Sequence, residues 1–428
     1  MCVGKYRESL KNKNFLFLWL AQIVSQFGDR ITQMALIGLV AGRSPGSAME
    51  LAKILSFTII PVFIVGPIAG VYVDRWDRRT TLFICDFLRA VLVLSIPLFF
   101  MSRGSMVPIY IVVFLSFCLS RFYVPAKMSI VPDIVDPKDL LPANSLVTMT
   151  GMIAFILGCA LGGFIVEKIG PGGGFVCDAF TFLTSGFLIA SVSGDLKFKM
   201  DKAKFIDVGK EMISNIQKSV VTELKEGISY LVNHQDIRFI INMLFILFSA
   251  AGAIYVVIIV FIQEAFGSIT RDLGILAVFL GIGLFLGAFL YGKWGERFPK
   301  FKTIFFCLIF GGLMLVLFAS LVQRIQSLFL ASLLAVLLGM IAGPIFIAAN
   351  TVVHQVSDQN MRGKVFSSLE VVIHFAFLVS MFVSSYLAEH VSRHWILIGV
   401  GGIFSIVGLV GMITYKSHPT LKEGIGLG

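Results

Sequence analysis

Charge is what this chain has least of: Asp, Glu, Lys and Arg make up 14% of 428 residues, against 57% apolar residues and a mean hydropathy of +0.91. So little charge cannot cover a water-facing surface, which excludes a soluble globular protein and leaves lipid as the solvent. No stretch is polar enough for a separate soluble domain. Cysteine is scarce, and Cys2, Cys85, Cys118, Cys159, Cys177 and Cys307 are scattered, with neither a disulfide framework nor metal-ligand spacing. A Walker-type glycine loop, a metal-ligand cluster and a nucleophile elbow are all missing, so an enzyme is not expected, and neither is a cofactor or a metal. No apolar region precedes Cys2, and the first apolar helix is long and uninterrupted. Neither a lipoprotein signal nor a cleaved signal peptide is therefore expected.

Present in abundance are apolar stretches of bilayer-spanning length. Read against turns and charges, they predict helices at roughly 15–42, 48–73, 80–101, 106–127, 143–167 and 171–194. Six more follow at roughly 237–264, 270–292, 301–322, 326–350, 361–390 and 394–415. This is an all-α polytopic membrane protein of twelve expected spans, with an N-terminal bundle over 1–194, a linker over 195–236 and a C-terminal bundle over 237–428. With Arg30, Arg89, Arg121 and Arg238 set aside as intramembrane, 24 of the remaining 31 Lys and Arg fall on the termini and the connections on their side. That bias predicts cytoplasmic termini in a bacterial inner membrane, and it accounts for the net charge of +10 without nucleic acid.

In the linker, Val208, Met212, Ile216, Val220, Leu224, Ile228 and Leu231 recur at helical spacing opposite Lys210, Lys218 and Lys225. The segment reads either as an amphipathic helix on the membrane face or as a solvated helical linker. The halves echo one another. Gly66-x-x-x-Gly70 answers Gly283-x-x-x-Gly287 at an offset of 217, and Pro125 answers Pro344 at 219. Small residues four apart let helices approach closely, and the matched offsets suggest two parallel repeats.

The most specific stretch is Gly70-Val-Tyr-Val-Asp74-Arg75-Trp-Asp77-Arg78-Arg79, between the second and third helices. It resembles the signature loop of the major facilitator superfamily, with Asp77 where glycine is usual. The resemblance implies two six-helix bundles and a cytoplasmic gate, in which Asp74 meets the start of helix eleven near Ser367 and Ser368. An Arg from helix four, here Arg121, joins it. Gly70, Arg75, Arg78 and Arg79 complete that gate, to which Asp86 and Arg89, three apart on helix three, are added as a pair of gate or scaffold residues. The alternative is that the loop arginines only obey the positive-inside rule.

Asp86-Phe-Leu-Arg89-Ala90, Pro125-Ala126-Lys127 to Val131-Pro132-Asp133 read as a turn, Ala143-Asn144-Ser145-Leu146, Asp178-Ala-Phe-Thr-Phe182 and Glu226-Gly227-Ile-Ser-Tyr230-Leu231 resemble the macrolide-efflux-type drug:proton antiporters of that superfamily. In helix five, Gly158-Cys159-Ala-Leu-Gly162-Gly163 resembles the antiporter Gly-Pro-x-x-Gly-Gly pattern, with Cys159 in place of proline. The glycines suit tight helix packing, while the proline kink is missing.

Gln22, Gln26, Asp29 and Gln33 form one polar stripe down helix one, as a cavity lining would. Asp29 lies about 21 Å along that helix, near the bilayer centre, and is the first candidate for a coupling proton. Its alternative is a permanent ion pair with Arg30 or Arg121. Asp178 reads as structural, near the outer interface. In the second half the buried polar residues are Asn242, Tyr255, Asn350, His354, Glu370 and His374; Glu370 and His374, one turn apart, form either a proton relay or a helix contact.

The leading expectation is a monomeric secondary transporter in the bilayer, exporting amphipathic or lipophilic small molecules in exchange for protons by alternating access. Phe27-Gly28-Asp29 and Pro125-Ala126-Lys127 also resemble the lysophospholipid translocators of the same superfamily, which keeps a lipid flippase as the alternative. A transporter-like sensor without flux is the third reading.

Overall fold

The computed structural model describes residues 10–73, 76–101, 104–192, 235–295, 299–356 and 362–417, less some side chains at the margins of these stretches. Asp74, Arg75, the linker from 195 to 234 and the surroundings of Gly70, Asn350, His354, Ser367 and Ser368 lie outside the described residues, and the last two linker positions, 235 and 236, open the following helix instead.

The described chain is helical throughout: α1 (Lys13–Arg43), α2 (Ala48–Ile59), α3 (Pro61–Ile64), α4 (Gly66–Val73), α5 (Arg78–Ser95) running into a π turn (Ile96–Phe100), α6 (Val107–Ile134), a 3-10 turn (Pro137–Asp139) and α7 (Leu140–Ala190). Then come α8 (Gln235–Phe266), α9 (Arg271–Trp294), α10 (Lys300–Ile325), α11 (Leu328–Val356), α12 (Arg362–His390) and α13 (Arg393–Ser417). Nine of the described helices are long and apolar enough to cross a bilayer. Helix α7 is 51 residues long and breaks at Gly170, whose φ of 77° and ψ of 169° reverse the chain into two arms. Outward faces carry large apolar side chains such as Phe187, Phe329 and Trp395, more than half exposed, which only hydrocarbon would satisfy.

Two sequence expectations change here. The second predicted helix is three pieces, because Pro61 and Pro67 lack the N–H that would close the preceding turn. The fourth runs on to Ile134: Pro125 and Pro132 sit inside α6 rather than at a turn. Lys127, expected on a loop, is consequently buried.

The chain forms two compact units, Met1–Arg43 with Ile54–Val221, and Ser44–Lys53 with Thr222–Gly428. In the first, α1 packs on the first arm of α7, α4 on α6, and α5 on the second arm of α7; in the second, α8 packs on α12, α9 on α11, and α10 on α13. The same three pairings recur in the same chain order, as the repeat expectation requires. Their small residues are not matched, however. At Gly283 and Gly287 an added Cβ would overlap the Val336 and Met340 carbonyls of α11, whereas at Gly66 it would meet nothing within 4 Å. The close approach seen at Gly283 and Gly287 is thus absent at Gly66, while the surroundings of Gly70 lie outside the described residues.

Candidate functional site

Within the first unit, glycines bring polar helices together. An added Cβ at Gly158 would lie 2.9 Å from the Arg30 side chain, and one at Gly162 3.1 Å from Ile31 Cα, so the first arm of α7 lies directly on α1. Helix α7 stays helical through Cys159, where the antiporter pattern has its proline, and Gly163 is buried on the same face. On the other side, a Cβ at Gly28 would overlap the Thr181 hydroxyl and the Asp178 carboxylate. Glycine at 28 therefore lets the second arm of α7 set a carboxylate against α1.

Around that approach lies a cluster of four ionisable side chains from three helices. Arg89 of α5, 2% exposed, is ion-paired with Asp29 of α1 and stands 4.0 Å from Asp86, one turn earlier on its own helix. Its guanidinium also lies 4.0 Å over the Phe182 ring. Asp86 and Asp178 are fully buried. Asp86 accepts from the Ser185 hydroxyl, Asp178 accepts from the Thr32 hydroxyl, and the Thr181 hydroxyl lies 3.0 Å from the other Asp178 carboxyl oxygen. Asp29 keeps a quarter of its side chain exposed. Three carboxyl groups thus surround one guanidinium in a setting where an uncompensated charge is costly.

The cation on Asp29 is therefore Arg89, not Arg30 or Arg121. Arg30 donates to Gln33 at 2.8 Å and lies 4.6 Å over the Phe155 ring; Arg121 is half-buried on α6. Asp178, read as structural, is fully buried against Gly28 and joins the same cluster. Asp86 and Arg89 join this cluster, several turns along α5 from the basic loop. Thr32 and Ser185 were missed by the sequence reading, although Thr32 stands one turn from Asp29 and could have been added to its stripe; Gly28 was noted only for its place beside Asp29, not for the close approach it allows.

The other candidates divide as follows. Gln22 is buried and donates to the Val147 carbonyl at 2.8 Å, fastening α1 to α7 rather than facing a cavity. Gln26 is half-buried opposite Gly151. Asn242 is exposed, and Tyr255 packs at a tilt against Phe377 with centroids 5.5 Å apart. His374 engages the Glu370 main-chain carbonyl at 2.8 Å, an intrahelical contact, while the Glu370 carboxylate is exposed.

At the basic loop, Arg78 bonds the Ser129 carbonyl at 3.0 Å and pairs with Asp133 at the end of α6. Arg79 donates to the Ile189 and Ala190 carbonyls that end α7. Cations at two helix C-termini bond main-chain carbonyls there and complement the helix dipoles. Asp77 caps α5 by accepting from the Thr80 N–H at 2.8 Å. Among the described residues, no group of His, Cys, Asp and Glu could hold a metal.

The comparisons with known proteins agree with this architecture. BacE of Bacillus subtilis, provisionally named a bacilysin exporter, is 25% identical over 427 residues, covering 96% of this chain and 98% of its own. Macrolide efflux protein A of Streptococcus pyogenes is 23% identical over 423 residues, 95% of this chain and 98% of its own. Among solved structures, the nucleoside transporter NupG superposes with a TM-score of 0.72 at 12% identity, over 94% of this chain and 99% of its own, a likeness of fold. A family model described as "Transmembrane secretion effector" matches residues 8–421. With a match of that extent on a helical pair of units carrying a buried ionic cluster, this chain belongs to the transmembrane secretion effector family of major facilitator transporters.

Proposed function

We propose that the protein is a proton-coupled exporter of amphipathic or lipophilic small molecules, working by alternating access in a bacterial inner membrane with both termini cytoplasmic. The observation that carries this reading is the Asp29–Arg89–Asp86–Asp178 cluster, a carboxylate-rich group inside a bundle, open to solvent only at Asp29. Such a group exchanges protons with water at its exposed member, and intramembrane ionisable clusters mark ion pathways more often than packing. The relationship to macrolide efflux protein A supports export and an amphipathic solute. The reading is tested with erythromycin as the probe in inverted membrane vesicles. Uptake is expected to follow an imposed pH gradient, to collapse with it, and to fall at least tenfold in Asp29→Asn. Gradient-independent uptake together with normal transport by Asp29→Asn would sink the coupling.

The lysophospholipid-translocator reading is kept by one observation: Gly28, Asp29 and Lys127, from its two resembling stretches, lie around the same cluster, with Lys127 buried and close enough to feel Asp29. It expects flipping of labelled lysolipid in ion-symmetric liposomes. The export reading expects none.

A further inference from the structure

Resting on that coupling, we infer that the proton is held by Asp178, and that Asp29 is only its way in and out. Asp29 has the Arg89 guanidinium as a direct counter-ion, and Asp86 has the same guanidinium 4.0 Å away. Asp178 has no cation within ion-pair distance among the described residues; its carboxyl oxygens face only the Thr32 and Thr181 hydroxyls. The charged groups around it are Asp29 from α1 and Asp86 and Arg89 from α5, with Lys127 of α6 beyond Asp29. On its own arm, from 171 to 190, it is the only charged residue.

Counting hydrogens leads to the same place. The Thr181 hydroxyl has one hydrogen and two acceptors in reach, the Asp178 main-chain carbonyl at 2.7 Å and Oδ1 at 3.0 Å. With that hydrogen on the nearer carbonyl, two acceptor oxygens face each other at Oδ1 unless the carboxyl group supplies a hydrogen of its own. A protonated Asp178 donates to Thr181 and accepts from Thr32, which satisfies both oxygens without a counter-ion. When its O–H bond breaks, the proton passes to water beside exposed Asp29, and Asp178 becomes a third anion near Arg89. Arg89 Nε is buried and makes no hydrogen bond, so the guanidinium has a donor to offer the new carboxylate at the expense of its hold on Asp29. Proton loss at one aspartate is thereby felt at the other.

The test is infrared spectroscopy of the full-length protein in liposomes at neutral pH, reading the C=O stretch of a protonated carboxylic acid. The band is expected in the wild type, lost in Asp178→Asn, and retained in Asp29→Asn and Asp86→Asn. Thr32→Val, which removes one donor and keeps the fold's shape, should retain the band and move it to higher frequency. Persistence of the band in Asp178→Asn, its loss in Asp29→Asn or Asp86→Asn, or an unmoved band in Thr32→Val overturns the assignment; the last applies even if Asp178→Asn does not fold. The export reading fails separately, through wild-type erythromycin uptake that ignores the gradient, whatever the band shows.

Discussion

Asp77 stands where the related loop signature has glycine, and the structure supplies its reason: the side chain caps the first turn of α5. Replacing it by alanine should cost about 1 kcal/mol of thermal stability in detergent, while Asp77→Gly should cost only a few tenths, since glycine is itself tolerated at an N-cap. Two other glycines make a sharper contrast. Gly28→Ala places a methyl group where Thr181 and Asp178 already sit and should lower stability by about 1–3 kcal/mol, whereas Gly66→Ala meets open space and should change it little. Arg89 is the costliest of these positions. Arg89→Met leaves buried carboxylates without their counter-ion, so a loss of about 3–5 kcal/mol is expected, recovered in part by adding Asp29→Leu. The same denaturation series checks all four.

At the scale of elements, the sequence announced its helices because apolar runs of bilayer length have few other uses. It was misread where proline looked like punctuation. Pro125 and Pro132 each remove one backbone hydrogen bond, but α6 keeps the rest and buries Lys127 with it. Asp29 was legible as a site and its partner was not: Arg89 lies 60 positions away, and only the packing of α5 beside α1 selects it over the adjacent Arg30. Asp178 was underrated for a related reason, since distance along a helix says nothing about the glycine facing it. The α9–α11 contact offers a test at this scale. Gly287→Leu should separate those helices and sharply reduce folded yield by size-exclusion chromatography, while Gly66→Leu in α4 should not.

For the whole molecule, the grouping that matters is that residues 44–53 belong to the second compact unit. There the Ser47 hydroxyl donates to Glu389 at 2.9 Å, the Met49 N–H donates to the same carboxylate at 3.1 Å, and Arg393 bonds the Gly46 carbonyl at 2.6 Å. In a variant lacking the native cysteines, Ser47→Cys with Glu389→Cys should form a disulfide on mild oxidation, seen as a mobility change after cleavage of an intervening linker site. Absence of the cross-link would refute the contact.

That placement also sets an order of assembly. The Gly46–Arg393 bond spans 347 positions, so the turn after α1 leaves the ribosome well before its partners exist. At about 5–20 residues per second, that interval is on the order of tens of seconds, during which the turn has neither Glu389 nor Arg393 to hold it. A chain cut short before α13 would therefore lack part of a structure begun near its N-terminus.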